Sequence, residues 1–283
     1  MASHGIASPA PPPNPPELPE GVDPGPRWPW WYAPAGFGAA MVAALIVGVV
    51  VGAIAIAAGS DLDQATPAVA IVGTFIQDAI FIGTAIAFAS LTLRPRAWHF
   101  GLRRTRFWWA VLWAFLGLVT FYLISIFYSV VLSALGLDEE QTTLDDLGVD
   151  EGRLALVAGA VLVIVVAPIV EEIFFRGFVY KSLRSSLPIW AAALVAGVVF
   201  GLVHIFTGAI AVPLLIVFGA ILCLVYERTG SLYPVIGMHA LVNTLAFVVD
   251  TKEVAVSLGL GGAMLALCVL APRFLGRTAP ALP

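Results

Sequence analysis

Eight apolar runs decide what this chain can be. They lie at about 36–58, 67–92, 107–135, 154–180, 188–206, 210–226, 232–250 and 254–272, each near the ~20 residues a helix needs to cross a bilayer. In hydrocarbon every backbone N–H and C=O must find its partner inside the protein, so runs of this length become helices packed on one another. The expected fold is all-α, a polytopic membrane protein of about eight transmembrane helices in a bundle. The charge content agrees, since 11% of the residues are charged against about 25% in soluble domains. The runs follow one another with short connections, which predicts one membrane domain over residues 35–275 and a short C-terminal tail over 276–283.

The segment before the first run is of another kind. Residues 1–34 hold 11 of the 20 prolines and too little apolar surface to fold, so they read as a disordered or polyproline-like cytoplasmic tail. Its PxxP spacing is a candidate for a partner of its own. A basic stretch followed by an apolar one, as in a secretory signal, is absent. Trp28, Trp30, Trp31 and Tyr32 close the tail and read as anchors at the lipid headgroups.

The connections carry the orientation. Arg27, Arg94, Arg96, Arg103, Arg104, Arg106, Lys181, Arg184, Arg228, Arg273 and Arg277 fall on one side of the bundle, and Arg153 and Lys252 on the other. The excess of Lys and Arg on cytoplasmic loops then places both termini in the cytoplasm. Asp138, Glu139, Glu140, Asp145, Asp146, Asp150 and Glu151 make the third connection an acidic, solvated outer loop. Cys223 and Cys268 lie in separate apolar runs and read as packing residues. Ser257 and Gly261 have the small-xxx-small spacing of a close helix contact. No basic stripe interleaved with aromatics points to nucleic acid.

The polar residues inside the runs are few, and each costs something there. Glu171, Glu172 and Arg176 interrupt an apolar segment that extends from Leu154 to Tyr180. Neighbours on a helix project about 100° apart, so the two glutamates cannot do the same job. Glu172 and Arg176 are four apart and within ion-pair reach, which leaves Glu171 to face a cavity. His204 lies in Phe200-Gly-Leu-Val-His204. Glu171 precedes the turn at Leu187 by 16 residues and His204 follows it by 17, so two helical arms bring them to about the same depth. A carboxylate level with an imidazole is a general-base arrangement for a water. His239 and Asn243, four apart on one face, offer two donors to a carbonyl oxygen as it gains charge. Taken singly, each motif reads as well as a packing or interhelical hydrogen-bond pair. Gln77 and Asp78 stand apart, and read as structural support for the cavity or part of a proton path.

Together, Glu171-Glu172-xxx-Arg176, Phe200-xxx-His204 and His239-xxx-Asn243 resemble the signature of the CPBP intramembrane protease family. That family groups the type II CAAX prenyl endopeptidases with bacterial relatives implicated in bacteriocin self-immunity. The resemblance covers residues of about 153–250. It implies an eight-helix bundle with a polar intramembrane cavity, and an endopeptidase that hydrolyses a peptide bond of a membrane-associated or lipidated protein. It also implies roles. Glu171 and His204 activate a water, His239 and Asn243 bind the oxyanion, and Glu172, Arg176 and Phe200 support them. Older descriptions of the family as metalloproteases make zinc an alternative, with Glu171, His204 and His239 as its ligands, although no His-Glu-xx-His pair is present. The implied location is a bacterial cell membrane, crossed several times, with membrane lipid and a lipidated or membrane-bound protein as partners.

Two other classes compete. A proton-coupled transporter would string Asp78, Glu171 and His204 along a path, and inverted repeats, its usual mark, are not visible in the sequence. A non-catalytic immunity or scaffold protein would use the polar cluster to hold helices in register.

Overall fold

The computed structural model describes residues 28–57, 59, 67–137, 144, 147–205 and 208–275. The first 27 residues of the proline-rich segment, the C-terminal tail from 276 and five of the seven acidic residues of the third connection lie outside the described residues. Eight helices follow in chain order. They are α1 (Tyr32–Ala57), α2 (Pro67–Ser90), α3 (Phe107–Leu135), α4 (Arg153–Leu183), α5 (Ile189–Val203), α6 (Val212–Thr229), α7 (Leu232–Thr251) and α8 (Val254–Leu275). No strand occurs among the described residues. Seven of the eight helices are long and apolar enough to cross a membrane, while α5 has 15 residues. At 1.5 Å per residue α5 extends about 22 Å, short of the ~30 Å of hydrocarbon.

Large apolar side chains on α1, α3 and α8 remain uncovered, among them Leu45, Val49, Phe115, Phe127, Leu267 and Phe274. In water that surface would be unstable, and against lipid tails it costs nothing. The buried core lies inward, around Phe81, Phe174, Phe175, Phe178, Phe200, Phe218 and Leu222.

Close helix contacts come from glycines. A Cβ on Gly197 would stand 2.6 Å from the Ile216 carbonyl oxygen, and one on Gly201 would stand 3.0 Å from the Ile216 amide nitrogen. The Gly197-xxx-Gly201 face therefore lets α5 lie backbone to backbone on α6. Gly261 does the same for α8, where an added Cβ would meet the Thr244 hydroxyl of α7 at 2.5 Å. This is the close face expected at Ser257 and Gly261, and Ser257 is itself fully buried.

The basic second connection does more than mark a side. Helix C-termini leave carbonyls without intrahelical partners and carry partial negative charge. Thr105 Oγ1 donates to the Thr229 carbonyl at 2.6 Å and Arg103 Nε to that of Gly230 at 2.7 Å, capping α6. Arg104 donates to the Pro272 and Arg273 carbonyls near the end of α8. At the same end Arg184, following α4, binds Glu227 of α6 at 2.9 Å, and Tyr180 donates to Glu227 at 2.8 Å.

The expected headgroup anchors divide. Trp30 and Trp31 are 57% and 45% exposed, but Trp28 is wholly buried and Tyr32 nearly so. Trp28 is thus corrected from anchor to core residue. Its ring tilts against Phe100 at 5.6 Å, and its Nε1 donates to the Gly177 carbonyl of α4 at 3.0 Å.

Candidate active site

Helix α4 is not a regular α-helix. Leu162–Val166 and Glu172–Tyr180 are π-helical, on either side of an α-helical turn at Ala167–Glu171. Pro168 supplies part of the reason. It has no N–H to give to the carbonyls of Val163 and Ile164, the positions five and four residues before it. The Val163 carbonyl finds a donor outside the helix, the Asn243 Nδ2 of α7, at 2.8 Å. π-helical segments often mark functional sites. Here they set the pitch of the segment that carries both glutamates.

Glu172 and Arg176 form the ion pair expected of them. Arg176 Nη1 lies 2.8 Å from Glu172 Oε1, and both residues are completely buried. Arg176 Nη2 donates to the Gly219 carbonyl of α6 at 3.0 Å, and its guanidinium lies 4.5 Å from the centre of the Phe200 ring. A buried charge persists when it is paired and otherwise hydrogen-bonded. Carboxylate, carbonyl and ring face supply most of that, while Arg176 Nε and Glu172 Oε2 are buried without a partner. The close approach of α5 to α6 is what brings the Phe200 ring and the Gly219 carbonyl to one guanidinium.

Glu172 has a second partner that the spacing did not reveal. His239 Nδ1 lies 2.8 Å from the same Oε1. That contact makes Nδ1–H the donor, holds the ring, and turns its Nε2 toward Glu171. Glu171 Oε2 lies 3.9 Å from His239 Nε2, too far for a hydrogen bond. One water can touch two atoms that far apart with legs of ~2.8 Å. The glutamates are unequal in access as well, with side chains 16% and 0% exposed for Glu171 and Glu172.

His204 follows the last residue of α5. Its Nδ1 lies 2.8 Å from the Phe200 carbonyl, and its ring centre lies 4.9 Å from that of Phe200. Phe200 in turn lies 5.9 Å, centre to centre, from His239. One phenylalanine therefore touches both histidines and the arginine. Asn243 shares its helix face with His239, one turn on. One of its two amide hydrogens serves Val163, which leaves the other free to donate.

Asp78 of α2 belongs to the same neighbourhood. It is 5% exposed, its Oδ2 has no hydrogen-bond partner, and it lies within electrostatic reach of Glu171. Its neighbour Gln77 is exposed. The groove along Ser125, Ser129 and Ser133 of α3 is elsewhere, and none of its lining residues is a site residue.

Zinc does not fit this arrangement. Among the described residues no three His, Cys, Asp or Glu side chains converge as ligands. One nitrogen of His239 is already engaged by Glu172, and His204 points Nδ1 at its own helix.

The membrane-length helices and the buried charged cluster define an integral, multi-pass membrane protein with a polar site inside its bundle. Residues 153–245 match the family model described as type II CAAX prenyl endopeptidase, Rce1-like. The match covers a third of the chain; it contains Glu171, Glu172, Arg176, Phe200, His204, His239 and Asn243 and excludes Asp78. No curated protein and no solved structure matches the chain.

Proposed function

We propose that the protein is an intramembrane endopeptidase that hydrolyses a peptide bond near the membrane end of a lipidated or membrane-anchored protein. The observation that carries this reading is the Glu172–His239–Glu171 arrangement, one histidine held by a buried carboxylate and aimed at an accessible one. A cluster serving only to hold helices together has no use for an unpaired second glutamate beside that ring.

In this reading Glu171 is the general base. It takes a proton from a water lying between its carboxylate and the histidines, and the water oxygen attacks the carbonyl carbon of the scissile bond. His204 flanks that water. The oxyanion of the tetrahedral intermediate accepts from the free amide hydrogen of Asn243 and, in the imidazolium form of the ring, from Nε2–H of His239. The C–N bond then breaks, and the departing amine takes the proton held by Glu171. Arg176 and Phe200 fix Glu172 and the two rings, and no step needs a metal. Both termini are assigned to the cytoplasm of a bacterial cell membrane, on the excess of basic residues in the connections.

The test uses full-length protein in liposomes with two sets of membrane-bound peptides, one carrying a C-terminal prenyl group and one anchored by a hydrophobic helix. Products are read by mass spectrometry. Cleavage of either set at a single bond supports the reading and names the substrate class. A protein that is folded and cleaves neither set at any concentration contradicts it.

A further inference from the structure

Asp78 is the one ionisable residue of α2, and the chemistry above does not use it. An ordinary explanation would be a hydrogen bond to a neighbouring helix, but Oδ2 is buried with no partner. Glu171 Oε2 is in the same condition. Glu172 Oε2 is orphaned too, but its carboxylate is ion-paired through Oε1. An orphaned carboxyl oxygen costs ~1–3 kcal/mol or more in such a place, so the other two, on adjacent helices, call for a common explanation.

The helix register supplies it. Phe81 of α2 stacks on Phe174 of α4 with ring centres 4.6 Å apart. Phe88 of α2 lies 6.0 Å from Phe178 of α4. The pairs rise together along both chains, so α2 and α4 run in the same direction. Three residues before the stacked pair come Asp78 on α2 and Glu171 on α4, at about the same height, and α2 packs on the Ala167–Glu171 turn itself. The two carboxyl groups therefore lie near one another, each with a buried oxygen that has no partner. Two like charges in a low-dielectric site cannot both persist at short range, whereas two carboxyl groups sharing one proton can.

We propose that Asp78 is a positioning residue of the site, a carboxyl group that donates a hydrogen bond to Glu171 and fixes which Glu171 oxygen meets the water. The proton resides on Asp78 and the charge on Glu171, where the general base needs it. The group lies outside the stretch matched to the protease family, so α2 is part of the site and more than a wall around it. The contact itself is independent of the peptidase reading, while its kinetic consequence rests on that reading.

The experiment compares full-length wild type with Asp78→Asn and Asp78→Leu in liposomes. Infrared spectroscopy reads the C=O stretch of protonated carboxyl groups, and the cleavage assay reads kcat and KM. The protonated-carboxyl band is expected in wild type at neutral pH and is lost in Asp78→Asn, whose amide still donates to Glu171. In Asp78→Leu kcat falls about 100-fold, the cost of a misplaced reacting group, with KM within about twofold, and Asn restores most of the loss. An unchanged band in Asp78→Asn overturns the shared proton. Wild-type kcat in Asp78→Leu, or loss of kcat in Asn equal to that in Leu, overturns the positioning role. If Asp78→Leu does not fold, the band and kcat of Asp78→Asn decide by themselves. If wild type cleaves no peptide, the peptidase reading fails and the band still tests the contact.

Discussion

His239 Nδ1 and Glu172 Oε1, 67 residues apart in sequence, lie 2.8 Å apart in the middle of the bundle. The same oxygen receives Arg176, so Glu172 joins the charge on its own helix to the histidine of α7. Removing it leaves a buried guanidinium without a counter-charge. Glu172→Ala is expected to cost ~3–5 kcal/mol, read as a fall in thermal or denaturant midpoint of the purified protein. Glu172→Gln, which keeps an acceptor for both donors, is expected to lose less stability than Glu172→Ala and still lose activity.

Asn243 holds the Val163 carbonyl that Pro168 leaves without a partner. Asn243→Ala orphans that carbonyl, at about 1–3 kcal/mol, and also removes an oxyanion donor, worth about 100- to 1,000-fold in kcat. A drop in stability with unchanged kcat per folded molecule would reduce Asn243 to a structural role. Pro168→Ala separates the two effects. It returns an N–H to the helix, favours a regular pitch across Leu162–Val166, and is expected to lower kcat while leaving the helix content by circular dichroism in place.

The glycines of α5 set how near Phe200 comes to Arg176. Gly197→Val places carbon atoms against the Ile216 carbonyl, already 2.6 Å from an ideal Cβ, and is expected to part α5 from α6 and abolish folded protein. Gly262→Ala in α8, where nothing lies within 4 Å of the added atom, is expected to be neutral or slightly stabilising in the same assay. Equal behaviour of the two variants would refute the close-contact account.

Chelators test the metal question directly. With no three donor side chains converging, activity is expected to be unchanged after prolonged treatment with a strong zinc chelator. Loss of activity that added zinc restores would show that the site rearranges to bind it.

Much of the site could be read from spacing, because spacing is what a helix preserves. The Glu172–Arg176 pair follows from four residues of separation, and the common face of His239 and Asn243 from the same rule. The eight apolar runs become the eight helices for the same kind of reason, since length and apolarity decide them locally. What escaped reading depends on partners from elsewhere in the chain. The double duty of Glu172 needs α7 beside α4. The π-helical segment at Leu162–Val166 needs Pro168 and an outside donor for Val163 together. Trp28 looks like any interfacial aromatic until the Gly177 carbonyl and Phe100 are placed around it. Asp78 is ambiguous in sequence because its meaning lies in the register of α2 against α4, which the Phe81–Phe174 stack fixes.

The central claim is that Glu171 performs chemistry while Glu172 holds the site together. The most direct measurement is the cleavage rate of Glu171→Gln in liposomes, beside its thermal midpoint. The account predicts a protein at least as stable as wild type, since a neutral amide replaces a carboxylate with an orphaned buried oxygen, and a kcat lower by at least about 100-fold, the contribution of a general base. A Glu171→Gln protein that cleaves at the wild-type rate would contradict it.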